Sequence, residues 1–230
     1  MKANNIKALL ERSKKDLEKI EQEYNKSLYL KNIDPDLKID IKNLCENLRS
    51  VLDYLAKDIR EKYCPHASTG ERFYFPILSD RTQFVTRMTR WFPNLQVSNP
   101  DLYTYMESIQ QYASEKNEWM RLFNKLNNEN KHADLVEQTR SETKQVKVAT
   151  QGGAEVSWNP NTVRFGSGVR VGGVPVDQRI QMPIPHPSQT VQIITWVDFK
   201  FNGIDVSALW LVKESYKGVS NINDQVRKYL

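Results

Sequence analysis

The chain holds two cysteines, three histidines and no long apolar run, and each shortage excludes a class of function. Cys45 and Cys64 show no CxxC spacing and no histidine cluster, so no metal or cofactor is expected. In a reducing compartment they read as packed thiols rather than a disulfide. No stretch approaches the roughly 20 apolar residues that span a bilayer. The opening MKANNIKALLERSKKDLEKIEQEY also lacks the continuous apolar centre of a signal peptide. A cytoplasmic protein with no membrane partner is the expectation. G-x-S-x-G, HExxH and paired-carboxylate motifs are absent. GSGVRVGG has neither a following helix nor the Lys-Ser/Thr of a phosphate loop. The net charge of +5 permits an anionic partner such as RNA but is too mild to demand one.

Glycine is scarce in the first 150 residues, where only Gly70 occurs; the other eight lie between Gly152 and Gly218. Glycine breaks helices and serves turns, so the chain reads as helical first and β-rich second. Periods agree. Ile6, Leu9, Leu10, Leu17, Ile20 and Tyr24 predict an amphipathic helix over 4–30. Asp34-Pro35 starts a second helix. Its stripe is Leu44, Leu48, Val51, Leu52, Leu55 and Ile59, and it stops before Cys64-Pro65. A third helix is predicted over 79–91. A fourth runs from Asn99-Pro100 through Tyr112, and a fifth carries Trp119, Leu122, Phe123 and Leu126 into KLNNENKHADL at 125–135.

Beyond about residue 140 the period becomes two. Val163 and Phe165, Val169 and Val171, Val174 and Val176, and Ile180 and Met182 alternate with polar neighbours. Gly172-Gly173 predicts a two-residue hairpin, and PIPHP at 183–187 predicts a break in strand pairing. RSETKQVK at 140–147 reads as a linker or edge strand. QTVQIITWVDFKFNG reads as the longest strand, with Val191, Ile193, Thr195, Val197, Phe199 and Phe201 on one face. Asp205 is placed to cap a final helix. The predicted fold is α+β in three parts: a helical bundle over 1–135, a β-rich insertion or subdomain over 136–204, and a C-terminal helix over 205–230.

NLRSVLDYLA at 47–56, FPI at 75–77, IQQY at 109–112 and the run ending in NKH at 130–132 together resemble a group of uncharacterised bacterial proteins. The helical core of that group is similar to the HEPN fold, an antiparallel helix bundle found in prokaryotic toxins and defence nucleases. The resemblance spans roughly residues 40–135. It implies a homodimer and a metal-free endoribonuclease motif, an arginine and a histidine with four to six residues between them. Such chemistry needs a proton carrier near neutral pH, which histidine supplies, and a fixed cation for the phosphorane, which arginine supplies.

The histidine of that pattern is His132. The arginine is absent: Lys125, Leu126 and Asn127 hold its positions, and lysine offers a point charge in place of a fork. Arg121, Lys125, Asn128 and His132 follow helical spacing and form a polar stripe. Asp53 is a candidate to orient His132, while Arg49 with Asp53 at i+4 reads more simply as an intrahelical salt bridge. Lys131-His132 also suits the negative end of a helix dipole. Arg81, Arg87 and Arg90 read as a solvated face, open to RNA phosphates. Three functions stay open. One is a defence or toxin-type ribonuclease with His132 as acid/base and Lys125 or Arg121 as cation. Another is a catalytically silent module binding RNA or protein. The third is a structural subunit of a defence complex that docks a protein through its β-rich part.

Overall fold

The computed structural model describes residues 3–30, 34–68, 70–132, 138–201, 204 and 206–230, with the side chains of all but 28–30, 129–132, 138–143 and 194–199. The chain adopts a mixed α+β fold and divides into two compact units: Met1–Thr139 with Lys200–Leu230, and Arg140–Phe199.

The first unit is helical. Its long helices are α1 (Ala3–Leu30), α2 (Pro35–Tyr63), α6 (Glu118–His132) and α7 (Ala208–Arg227). α2 packs against α1, α6 and α7, and α7 also meets α1 and α6. The predicted stripe of α2 lies fully inside: Leu44, Leu48, Val51, Leu52, Leu55 and Ile59 have no exposed surface. Burying such side chains stabilises by about 1.5–3 kcal/mol each. Local signals set the ends. Asp34 Oδ1 accepts from Asp36 N at 2.9 Å with Pro35 in the first turn, and α2 closes at Cys64 ahead of Pro65.

Some boundaries differ from expectation. α3 (Arg81–Trp91) begins after Asp80, whose carboxylate caps Gln83 N at 2.8 Å. A single turn, α4 (Leu95–Ser98), follows it. α5 (Pro100–Ser108) stops short of Tyr112, which lies in a 3₁₀ turn over Gln111–Ala113. The buried Gln110 side chain accounts for the stop. Its amide donates to Met106 O at 2.8 Å and Pro76 O at 3.1 Å, which ties the helix end to an extended segment. α7 is capped by Ser207, which accepts from Trp210 N at 3.3 Å. The expected cap, Asp205, lies outside the described residues.

The second unit is β-rich. β1 (Gln138–Thr150), β2 (Glu155–Trp158) and β6 (Gln189–Phe201) form a sheet in the order β2-β1-β6. β3 (Arg170–Val171), β4 (Val174–Asp177) and β5 (Met182–Pro183) form a second in the order β3-β4-β5. RSETKQVK thus belongs to a central strand, because β2 pairs on one side of β1 and β6 on the other. The predicted hairpin forms: Val171 pairs with Val174, and Gly172 and Gly173 take φ of 53° and 83°, a region open to glycine. Pro183 does enter a ladder, opposite Val176. Val163 and Phe165 join no strand but pack on a core of Val146, Val148, Trp158, Val171 and Val176. β6 is among the two longest strands, as expected, and along it Ile193 is exposed, Val191 half-buried and Phe201 buried. Among the described residues no helix is long and apolar enough to cross a membrane.

Candidate functional site

The helical unit carries a cleft of about 450 Å³, and its walls come from widely separated stretches. α2 supplies Arg49. Its side chain is 12% exposed and its guanidinium forks onto Asp53, with Nε to Oδ2 at 3.3 Å and Nη2 to Oδ1 at 3.1 Å. The expected i, i+4 ion pair is therefore present, and it does more than stabilise one helix. Nη2 also donates to Phe75 O at 3.4 Å and Nη1 to Asn124 Oδ1 at 3.4 Å, while Asp53 Oδ1 accepts from Phe75 N at 3.1 Å. The pair grips both backbone groups of Phe75 and reaches across to α6.

The other side of that segment is held by Gln110. Its Oε1 accepts from Leu78 N at 2.9 Å while its amide binds Pro76 O. The stretch Phe75–Leu78 makes no regular ladder, so side chains satisfy its backbone groups. Ile77 and Leu78 form one wall of the cleft, with Tyr74 and Trp91 beside them. Tyr74 meets Trp91 edge to face at 6.3 Å and 78°, and the Arg49 guanidinium lies 5.8 Å from the Tyr74 ring centre. NLRSVLDYLA, FPI, IQQY and the asparagine run thus converge on one place.

α6 closes the cleft with three carboxamides, Asn124, Asn127 and Asn128. Asn128 is exposed and Asn124 half-buried. Asn127 is 2% exposed; its Nδ2 donates to Phe123 O at 3.0 Å, and its Oδ1 has no hydrogen-bond partner among the described residues. A buried acceptor left unmade costs about 1–3 kcal/mol, which a donor reaching this atom would recover.

Of the five residues singled out from sequence, Asn128 lines the cleft and Asp53 holds its wall. Arg121 points elsewhere. It is exposed, pairs with Glu118 at 3.0 Å, and borders a separate depression with Tyr112 and Glu115. Lys125 is half-buried and is not among the residues lining the cleft. His132 is the last residue of α6, one turn beyond Asn128, and its side chain lies outside the described residues. The pairing of Asp53 with His132 is thus not described; Asp53 is engaged by Arg49 and Phe75 N. Sequence reasoning missed Asn124, Asn127, Tyr74 and Trp91. Asn127 carried a readable signal: it follows Phe123 by four positions, which puts it on the buried side of α6.

Arg49 is the only cation lining the cleft among the described residues, and Asp53 neutralises it. The site is therefore close to neutral, with carboxamides, aromatic edges and two aliphatic side chains. That set suits a planar, uncharged, hydrogen-bonding group better than a bare phosphate. Among the described residues no three His, Cys, Asp or Glu side chains gather as a metal site. No protein-family model, curated protein or solved structure matches the chain.

Proposed function

We propose that this is a HEPN-like protein of the defence or toxin type that acts on RNA, and that its helical unit works by recognition. One observation carries the reading: the unpartnered, buried Oδ1 of Asn127 in a cleft walled by carboxamides and aromatic rings. Such a site pairs with base edges and faces, the groups by which single strands are recognised. Among the described residues Arg49 is the only cation lining the cleft, and Asp53 neutralises it, which favours binding over stabilisation of a phosphorane. Fluorescence anisotropy with labelled single-stranded RNA tests it, with saturable binding expected. No binding at low salt, where phosphate contacts are strongest, removes the reading.

A second reading, metal-free RNA cleavage, draws on the regular course of α6 to His132, one turn past Asn128. In it a two-fold homodimer brings two such helix ends together. RNA cut in the presence of EDTA by the wild type and spared by His132→Ala, with a loss of roughly 10²- to 10⁴-fold, would establish it. A monomer mass in light scattering would remove the dimer.

A further inference from the structure

We infer that the cleft takes one unpaired nucleobase edge-on, with its Watson–Crick edge on Asn127 and Asn124, its face on Tyr74, and the adjoining phosphate on Arg87. The inference rests on the RNA-binding reading and names what is bound. Two carboxamides set the pattern. Arg49 only donates, so the Asn124 atom that meets Nη1 is the oxygen, and the Asn124 NH₂ is left as a donor. One turn along α6, Asn127 offers the unpartnered acceptor Oδ1. The cleft wall thus carries a donor and, one turn along, a buried acceptor with no partner among the described residues. The Watson–Crick edge of each RNA base carries an N–H beside an acceptor, and in a duplex that edge is used. The site therefore selects an unpaired base rather than a particular one.

Tyr74 supplies the face. It is 45% exposed at the cleft mouth, although its ring also borders Arg49 and Trp91. Rings in this position stack bases with little sequence preference. Arg87 supplies the charge. Its guanidinium sits 5.3 Å from the Trp91 ring centre and is exposed. Its neighbours on α3 are engaged, Arg81 with Glu107 and Arg90 with Glu71. Among the described residues Arg87 has no carboxylate within ion-pair distance, and Trp91 places it at the rim.

The test is anisotropy with a labelled unstructured RNA strand, alone and annealed to its complement. The duplex should bind at least about tenfold more weakly. Tyr74→Ala should weaken single-strand binding roughly 10- to 100-fold, and Asn127→Leu about tenfold. Arg87→Ala should lower the slope of log K against log salt by about 0.7. Arg179→Ala, an exposed site in the other unit, should change neither. Tyr74 is exposed, so its variant folds and keeps the test decisive if Asn127→Leu does not. Equal binding of duplex and single strand overturns the inference, as does undiminished binding by Tyr74→Ala; the RNA-binding reading then stands with its site elsewhere. Failure of the wild type to bind any RNA overturns both.

Discussion

The two units are built from different materials. All ten tyrosines and both cysteines lie in the helical unit, while six of the nine glycines lie in the β-rich one. The helical unit buries whole stripes of large side chains, Phe75, Phe84, Phe92 and Phe123 among them. Among its described residues the β-rich unit gathers four small valines around Trp158. One core is redundant and the other is centred on one residue. A cut at Trp158 should therefore do more than a cut at any one position of the α2 stripe.

That gives the largest expected effect. Trp158 is 5% exposed, meets Phe165 edge to face at 5.1 Å, and donates its Nε1–H to Gln181 O at 2.9 Å. Trp158→Ala should cost the β-rich unit about 3–5 kcal/mol and expose residues 140–199 to protease. The helical signal in circular dichroism should persist. If both units are lost together, their independence is wrong.

Within the helical unit the most vulnerable point is polar. Asp58 has a fully buried side chain and pairs with Arg227 at 3.3 Å, joining α2 to α7. Asp58→Ala leaves Arg227 without this carboxylate and should cost about 3 kcal/mol, read as a lower denaturant midpoint at unchanged slope. Gly218 comes next. Alanine in mid-helix normally gains about 1 kcal/mol over glycine. Here a Cβ would overlap the Trp119 ring. Overpacking of about 1–3 kcal/mol should reverse the sign, so Gly218→Ala should melt lower. A higher melting temperature would show that Trp119 moves aside cheaply.

Local features were legible in the sequence, and long-range ones were not. Asp34-Pro35, Asn99-Pro100 and Gly172-Gly173 carry their signals within two to four residues, and each feature forms where it was expected. The α2 stripe was legible because helical period and burial agree. The cleft was hidden because Arg49 reaches Phe75 and Asn124 over sequence separations of 26 and 75, which no periodicity encodes. The i, i+4 spacing showed only the Arg49–Asp53 half of that network. Asn127 stands in an asparagine cluster of the kind that usually ends helices; here it faces inward and α6 continues to His132.

The smallest effect separates the units by pH. Burial pushes the Cys45 thiol from 9.0 up to about 12, and Glu46 adds to the shift. Burial also raises the Tyr105 and Tyr112 hydroxyls to about 12. As pH rises through 9, the unfolded chain releases the Cys45 proton while the folded chain keeps it. The native state then binds more protons than the unfolded one, so stability falls with pH. The loss begins near the unfolded value of 9 and continues until the folded group itself ionises near 12. At pH 10 it should reach about 1 kcal/mol from Cys45. The β-rich unit has neither cysteine nor tyrosine and so lacks these groups. Between pH 8 and 10 the helical ellipticity should therefore melt at progressively lower temperature, while the protease resistance of Trp158 and its strands stays level. Cys45→Ser should flatten the helical unit's decline; if the decline keeps its slope, the buried thiol is not its source.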